Sequence, residues 1–306
     1  MTSIIHHDDC LKHNTGPQSP ESAQRIAAVL GGLESVSGLE YLPAPAASVE
    51  QLSRVHPDAY LNLLRETEPE EGRVFINEQD NMMSKGTLDA ALRGSGAICF
   101  AIEQVLSGQV ANAFCAVRPP GHHAESATSM GYCFYNHVAV GARHAQALGA
   151  RKIAIIDFDV HHGNGTQEIF ESDPDVLFIS SHQMPLYPGS GYPEETGCGN
   201  IINLPLAPGT GGTEFRKAWS RVGLPAVHGF EPDLILISAG FDAHRRDPLG
   251  HLEVRDQDYA WITGELMDLA EDSAGGRLVS ILEGGYDMEA LATASAAHVR
   301  ELMRNG

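Results

Sequence analysis

The sequence predicts an α/β fold in three layers, with a mainly parallel central sheet and helices on both faces. Two observations predict it. Short apolar runs at 112–117 (NAFCAV), 153–156 (IAII), 176–179 (VLFI), 234–237 (LILI) and 278–282 (LVSIL) are separated by helix-compatible segments at 134–148, 166–171, 212–228 and 256–273. Alternating strand and helix signals of this kind build parallel sheets. Each apolar run is also too short for an independent helix and stops at polar residues, as a strand buried on both faces does where it leaves its sheet. No Pro/Ser-rich linker and no repeat of solenoid period divides the 306 residues, so residues 1–306 read as one domain.

Taken in order, Ser3-Ile4-Ile5 forms a short strand, followed by a polar loop ending in Ser19-Pro20-Glu21. A helix is predicted over Ser22–Leu33, with Ile26, Val29, Leu30 and Leu33 on one face. Residues 48–66 are helical in two pieces around His56-Pro57. Residues 67–85 lack a clear period and read as a long surface loop, a kind of segment that often carries function. Helical periodicity returns over 86–107, where many Ala and Gly residues imply close packing.

Composition narrows the function. Acidic residues number 40 and basic residues 20, for a formal net charge of −20. A nucleic-acid binder presents a basic face, so DNA and RNA are disfavoured as partners. An acidic surface suits cationic ligands such as lysine-rich peptides or polyamines, and equally serves solubility. The five cysteines are odd in number, scattered and without a C-x-x-C pair, which excludes a disulfide framework or a zinc-finger pattern. The N-terminus MTSIIHHDDC has no signal-peptide pattern and no apolar run reaches membrane-spanning length, so no membrane association is expected and the predicted compartment is the cytoplasm.

The chemistry gathers where the strands end. Asp157, Asp159 and His161 follow one another at two-residue spacing, and in an extended chain such positions share one face. The other strands end in Arg118-Pro-Pro-Gly-His122-His123, in Ser180, Ser181 and His182, in Ser238-Ala-Gly-Phe-Asp242, and in Glu283-Gly-Gly-Tyr286. Ligands bind at the carboxyl ends of strands in parallel α/β sheets. Asp159, His161 and Asp242 form a plausible metal set: one imidazole and two carboxylates suit zinc, and also ferrous iron or cobalt. His161 is a better ligand than His162 because it shares the face of Asp159. His122 and His123 are natural proton carriers, with Asp157 and Asn164 available to fix their tautomers; a loop-bracing role for one of the two is the alternative. Tyr286, after Gly284-Gly285, is placed to donate to a developing oxyanion. Tyr132 and Tyr187 are candidates for the walls of an apolar slot, or simply core.

Seven motifs make the chain resemble a zinc-dependent enzyme of the histone deacetylase family, within the arginase–deacetylase fold. They are RPPGHHA (118–124), GYCFYNHVAV (131–140), IDFDVHHGNGTQ (156–167), LYPGSG (186–191), SAGFDAH (238–244), DPLG (247–250) and EGGY (283–286). Asn164 and the DPLG segment resemble class II members and their bacterial relatives. The resemblance implies zinc at Asp159, His161 and Asp242. It implies His123 as general base and then acid, His122 as its electrostatic partner, Asp157 and Asn164 as their orienting groups, and Tyr286 as the group that polarises the amide carbonyl. It further implies an acyl-lysine channel formed by Gly131, Tyr132 and Tyr187, with Leu249 at its mouth and Gly284 beside the substrate, and Asp80 holding substrate backbone. A structural potassium ion is implied at Asp157, Asp159, His161, Ser180 and Ser181. One departure stands near the N-terminus, where the family's Gly-x-x-His-Pro-Glu reads Gly16-Pro17-Gln18-Ser19-Pro20-Glu21, with serine at the histidine place.

The expected function is therefore removal of an acetyl or short acyl group from an amide such as N6-acetyl-lysine. An acetylpolyamine or other small N-acetylamine amidohydrolase is the alternative. Leu249 stands where the vertebrate polyamine deacetylase of the family carries a glutamate, which favours acyl-lysine. An acyl-lysine binding module without turnover, and a two-metal hydrolase of the arginase type, are the more distant readings. Homo-oligomer formation is left open.

Overall fold

The computed structural model describes residues 1–305, and residues 78–80 and 305 by their backbone alone. In chain order the elements are β1 (Thr2–His6), α1 (Gln24–Leu33), β2 (Glu40–Pro43), α2 (Val49–Ser53), α3 (Asp58–Thr67), β3 (Arg73–Ile76), β4 (Glu78–Ser84), α4 (Thr87–Leu106), β5 (Asn112–Cys115) and α5 (His137–Ala147). They continue with β6 (Ile153–Asp157), α6 (Asn164–Phe170), β7 (Val176–Gln183), β8 (Ile201–Leu206), α7 (Gly212–Ala218), α8 (Leu224–Phe230), β9 (Leu234–Ala239), α9 (Asp256–Ser273), β10 (Leu278–Leu282) and α10 (Met288–Leu302). Eight strands form one sheet in the order β2-β1-β5-β10-β9-β6-β7-β8. Every pairing in it is parallel.

Every residue of β5, β6, β7, β9 and β10 is buried. Successive side chains of a strand point to opposite faces, so burial of both sets requires cover on both sides. Helices supply it: α4 packs on β5 and β10, α5 and α9 on β9, α6 on β7 and α10 on β5. These five strands are also adjacent in the order β5-β10-β9-β6-β7, which brings their carboxyl ends together along one edge. No helix is long and apolar enough to cross a membrane among the described residues.

The expected surface loop over 67–85 is corrected by the structure. Arg73–Ile76 and Glu78–Ser84 pair antiparallel as a hairpin with an irregularity between Phe75 and Ile76. Its first strand is largely exposed, so it lacks the alternation of apolar and polar residues that marks a half-buried strand. The predicted helix over 212–228 is two helices, α7 and α8, joined by a π-helical turn at Trp219–Gly223, with Pro225 at the start of α8. Proline lacks an N–H and sits best in the first turn of a helix.

A buried ionic cluster ties the N-terminal loop to the sheet edge. Arg118 is fully buried and donates from Nε to Glu21 Oε1 (2.8 Å) and from Nη2 to Glu21 Oε2 (2.7 Å), while its Nη1 serves the carbonyls of Cys10 and His13. Arg25, also buried, donates to Glu21 Oε1, to the carbonyl of Gly285 at 2.7 Å and to that of Glu283. Burial works against charge on Glu21, but Arg118, His13 and Arg25 outweigh it and hold its pKa down at about 2. A lowered carboxylate pKa contributes stability above its unfolded value, and that contribution is lost as pH falls toward 2. Arg118→Met strips Glu21 of its bidentate partner and is expected to cost about 3–5 kcal/mol, read as a lower urea midpoint at neutral pH. A midpoint equal to wild type would show that Arg25 alone suffices.

Candidate active site

The turn after β6 is built by its own carboxylates. Asp157 Oδ1 accepts the backbone N–H of Asp159 (3.1 Å), and Asp159 Oδ1 accepts that of His161 (2.9 Å). These bonds two residues apart are the local alternative to a sheet ladder that Asp side chains favour. They hold Asp159 and His161 on the side where Asp242 arrives from β9. Asp242 Oδ1 in turn accepts the N–H of Val160 at 2.8 Å. Two glycines leave room behind the carboxylates. A Cβ on Gly240 would lie 2.1 Å from Asp159 Oδ2, and one on Gly284 2.1 Å from Asp242 Oδ2. Gly284 also donates its N–H to Asp159 Oδ2. It thus sits behind the carboxylates and is not among the described residues that line the cavity beside them.

The predicted metal set is brought together: one donor atom each from Asp159, His161 and Asp242 lies within 4.8 Å of the others, and all three residues are buried. His161 Nδ1 stands 3.1 Å from Asp159 Oδ1 and 3.2 Å from Asp242 Oδ2. One imidazole N–H cannot satisfy both, and Asp242 Oδ2 is buried without a hydrogen-bond donor. A buried unsatisfied carboxylate oxygen is costly. Burial disfavours a charged His161, yet Asp159 and Asp242 outweigh it and lift its pKa to about 10, while burial and Asp159 raise Asp242 to about 7. Two buried carboxylates thus compete for one positive partner. The donor types, their convergence and the orphaned oxygen fit a divalent cation.

The sequence left open whether the adjacent histidines could both face the site. They do, with ring centroids 4.0 Å apart. His122 Nδ1 donates to Asp157 Oδ2 (2.9 Å) and His123 Nδ1 to Asn164 Oδ1 (2.8 Å). Burial disfavours charge on both. Asp157 and Asp159 overcome it at His122 and raise its pKa well above the ordinary value, whereas burial and the neighbouring His122 push His123 well below. The pair therefore holds one charged and one neutral imidazole, and the neutral ring is the one able to accept a proton.

The loop 283–286 is anchored from three sides. Glu283 Oε2 accepts the backbone N–H groups of Gly121 (2.6 Å) and His122 (3.1 Å), and burial raises its pKa to about 7. Asp247 Oδ2 accepts the N–H of Tyr286 at 2.7 Å. Gly285 adopts φ +127°, which favours glycine, and the Arg25 guanidinium lies 4.9 Å from the centre of the Tyr286 ring. Burial keeps the Tyr286 phenol well above its ordinary pKa, hence neutral.

A cavity of about 220 Å³ opens above these groups, lined by His123, Gly131, Tyr132, His161, Leu186, Tyr187, Leu249 and Tyr286. The predicted channel residues Gly131, Tyr132 and Tyr187 are all in its wall, with Leu249. Gly131 is required there: its φ is +54° and a Cβ would meet His123 Cδ2 at 2.4 Å. Tyr132 is held at φ +67°, a strained position of the kind found at ligand sites. The side chain of Asp80 lies outside the described residues. Asp157 and Ser180 are register partners on β6 and β7; Ser180 Oγ pairs with His182 Nδ1, and Ser181 Oγ accepts from Trp219 Nε1. Leu186, Arg25 and Asp247 were not singled out from the sequence. Their only signal was position, in or near the LYPGSG and DPLG motifs for two of them.

A parallel sheet that brings His123, His161 and a neutral Tyr286 to the wall of one cavity, with two carboxylates and His122 packed behind them, carries groups suited to metal-assisted hydrolysis of an amide or ester. Comparison with known proteins agrees. A family model described as the histone deacetylase domain matches residues 19–302. The chain is 40% identical over 298 residues to a probable deacetylase of Archaeoglobus fulgidus, covering 94% of this chain and 82% of that protein. It is 37% identical over 328 residues to a histone deacetylase-like amidohydrolase of Pseudomonas aeruginosa, covering 98% and 86%. The crystal structure of the HDA15 HD domain superposes with a TM-score of 0.94 at 34% identity, covering 99% of this chain and 88% of that one. The chain belongs to the histone deacetylase family, and its sheet and flanking helices are that family's arginase–deacetylase fold. It is an enzyme of the deacetylase class.

Proposed function

We propose that the protein is a zinc-dependent deacetylase that hydrolyses N6-acetyl-lysine or a similar short acyl amide, acting as one catalytic domain in the cytoplasm. The observation that carries this is the convergence of Asp159, His161 and Asp242 beside a neutral His123 and a neutral Tyr286 at the end of a narrow cavity. Zinc held by those three residues would supply Lewis-acid polarisation of the amide carbonyl and of an attacking water. The chain's own groups do the rest. His123 Nε2 takes the water proton, its ring held by Asn164. His122, charged against Asp157, favours the neutral state of its neighbour and then stabilises the negative charge that builds up nearby. Tyr286 donates its O–H to the carbonyl oxygen as that oxygen gains charge. His123 returns the proton to the leaving amine. Tyr132 and Tyr187 exclude water around the acyl-lysine stem. A potassium ion held by the carbonyls of Asp157, Asp159, His161 and Ser181 with the Ser180 hydroxyl would stiffen the turn after β6.

Turnover of an acetyl-lysine fluorogenic peptide, in competition with N8-acetylspermidine, tests the reading. Leu249 lines the cavity wall and offers a cationic substrate no carboxylate. An unpaired charge in a low-dielectric mouth is costly, so wild type is expected to prefer the peptide. Leu249→Glu is expected to shift the ratio of kcat/KM values toward the polyamine. Wild-type preference for N8-acetylspermidine would defeat this and make the polyamine the better assignment.

A further inference from the structure

A second cavity, of about 550 Å³, lies beside the first and shares Tyr132 with it. Its walls are the N-terminal loop around Gly16 and Pro17 and one face of the β3–β4 hairpin. Arg73 and Phe75 are two residues apart on β3 and so share a face, and Met82 is the register partner of Phe75 across the hairpin. All three line the cavity, and among its described residues Arg73 is the one charged side chain. The guanidinium lies against the loop: a Cβ on Gly16, itself at φ +94°, would come within 2.5 Å of Arg73 Nη1.

Arg73 has no ion-pair partner among the described residues, although the chain is rich in carboxylates. The chain carries 40 carboxylates to 20 basic residues. Cations elsewhere near this edge are paired: Lys12 with Asp9 and Asp89, Lys85 with Glu70, Arg93 with Asp9. Among the described residues Arg73 makes neither an ion pair nor a side-chain hydrogen bond. A guanidinium offers a planar fork that matches a carboxylate in two parallel bonds, and here it lines the same cavity as the apolar side chains of Phe75 and Met82.

We infer that this cavity is a subsite for the part of the substrate beyond the acylated amine, and that Arg73 receives a carboxylate there. The inference rests on the proposed deacylation of an acyl-lysine-like substrate, since it is the tube past Tyr132 that would deliver the remainder of the substrate into the groove. The occupant carries a negative charge, even though the protein as a whole is strongly acidic: long-range repulsion slows encounter, while the local fork sets preference. Arg73 is on this account a specificity-determining residue.

The carboxylate has two sources, an acidic residue flanking acetyl-lysine in a peptide or the free α-carboxylate of a single Nα-capped acetyl-lysine. The experiment measures kcat/KM for matched pairs in both arms: peptides with Glu or Gln on either side of acetyl-lysine, and Nα-capped acetyl-lysine as acid or carboxamide. Wild type is expected to prefer the charged member of at least one pair by about fivefold, the upper range for a solvent-accessible ion pair. That preference is expected to fall to about one in Arg73→Gln, to survive in part in Arg73→Lys, and to shrink with added salt. A preference in the peptide arm alone identifies a flanking acidic residue, and one in the single-residue arm a free carboxylate. Equal rates within both pairs, or a preference that persists in Arg73→Gln, would overturn the subsite while leaving deacetylation intact. Absence of turnover on every acetylated substrate would instead remove the deacylase reading, and the subsite with it.

Discussion

Tyr286→Phe is expected to lower kcat by about 10²–10³ with KM little changed, the usual cost of removing one oxyanion donor. The substitution deletes only the hydroxyl. The ring keeps its place beside Arg25, and the backbone keeps its bond to Asp247. A neutral donor that bonds more strongly as the carbonyl oxygen gains charge lowers the barrier without strengthening the ground state. Metal content is expected to stay at the wild-type level, and hydroxamate affinity to fall less than kcat. A rise in KM alone, with kcat near wild type, would make Tyr286 a substrate-positioning group. The oxyanion would then need another donor, and no other phenol or amide among the described lining residues is an obvious candidate; Tyr132 and Tyr187 stand in the channel walls.

Asp242→Ala is expected to abolish both metal binding and activity. The variant leaves Asp159 and His161 as a pair on one turn, with no donor from β9. It also frees the N–H of Val160, so a loss of activity alone would be ambiguous. Asp242→Asn resolves this, because its amide oxygen still accepts from Val160 while an amide NH2, a donor that does not ligate a cation, replaces the oxygen that faces His161. Elemental analysis is expected to show the metal-to-chain ratio falling from about one to near zero in both variants, with the Asn variant keeping the wild-type urea midpoint more nearly than the Ala variant. Retention of full metal by Asp242→Ala would remove Asp242 from the ligand set.

The parts of the site legible in the sequence are those whose geometry is local. Asp157, Asp159 and His161 sit at strand spacing after an apolar run, and Gly284 and Gly285 directly precede Tyr286. The sheet core was legible for the same reason, since β5, β6, β7, β9 and β10 are continuous apolar runs. The edge strands were not. β2 alternates between half-buried and exposed residues, and β8 carries Pro205, which strands tolerate at edges and which weakens the signal. Helix α10 gives a weak signal because half of the residues that MEALATASAAHVREL buries are Ala or Ser, packing closely on α1 and α9 without a strong apolar stripe. The supports of the site were hardest to see. Arg25 reaches Gly285 across 260 positions, and Glu283 reaches Gly121 across 162. Such charges are buried only because a distant partner exists, and nothing local announces it.

One catalytic metal, held by Asp159, His161 and Asp242, is proposed to be essential for turnover. The most direct test is a zinc titration of the chelator-stripped protein, reading acetyl-lysine peptide turnover and bound metal in the same samples. Activity is expected to be absent in the stripped protein, to rise in proportion to zinc, and to level off at about one ion per chain. Full turnover without metal, or a rise that continues to about two ions per chain as in a two-metal hydrolase, would contradict it.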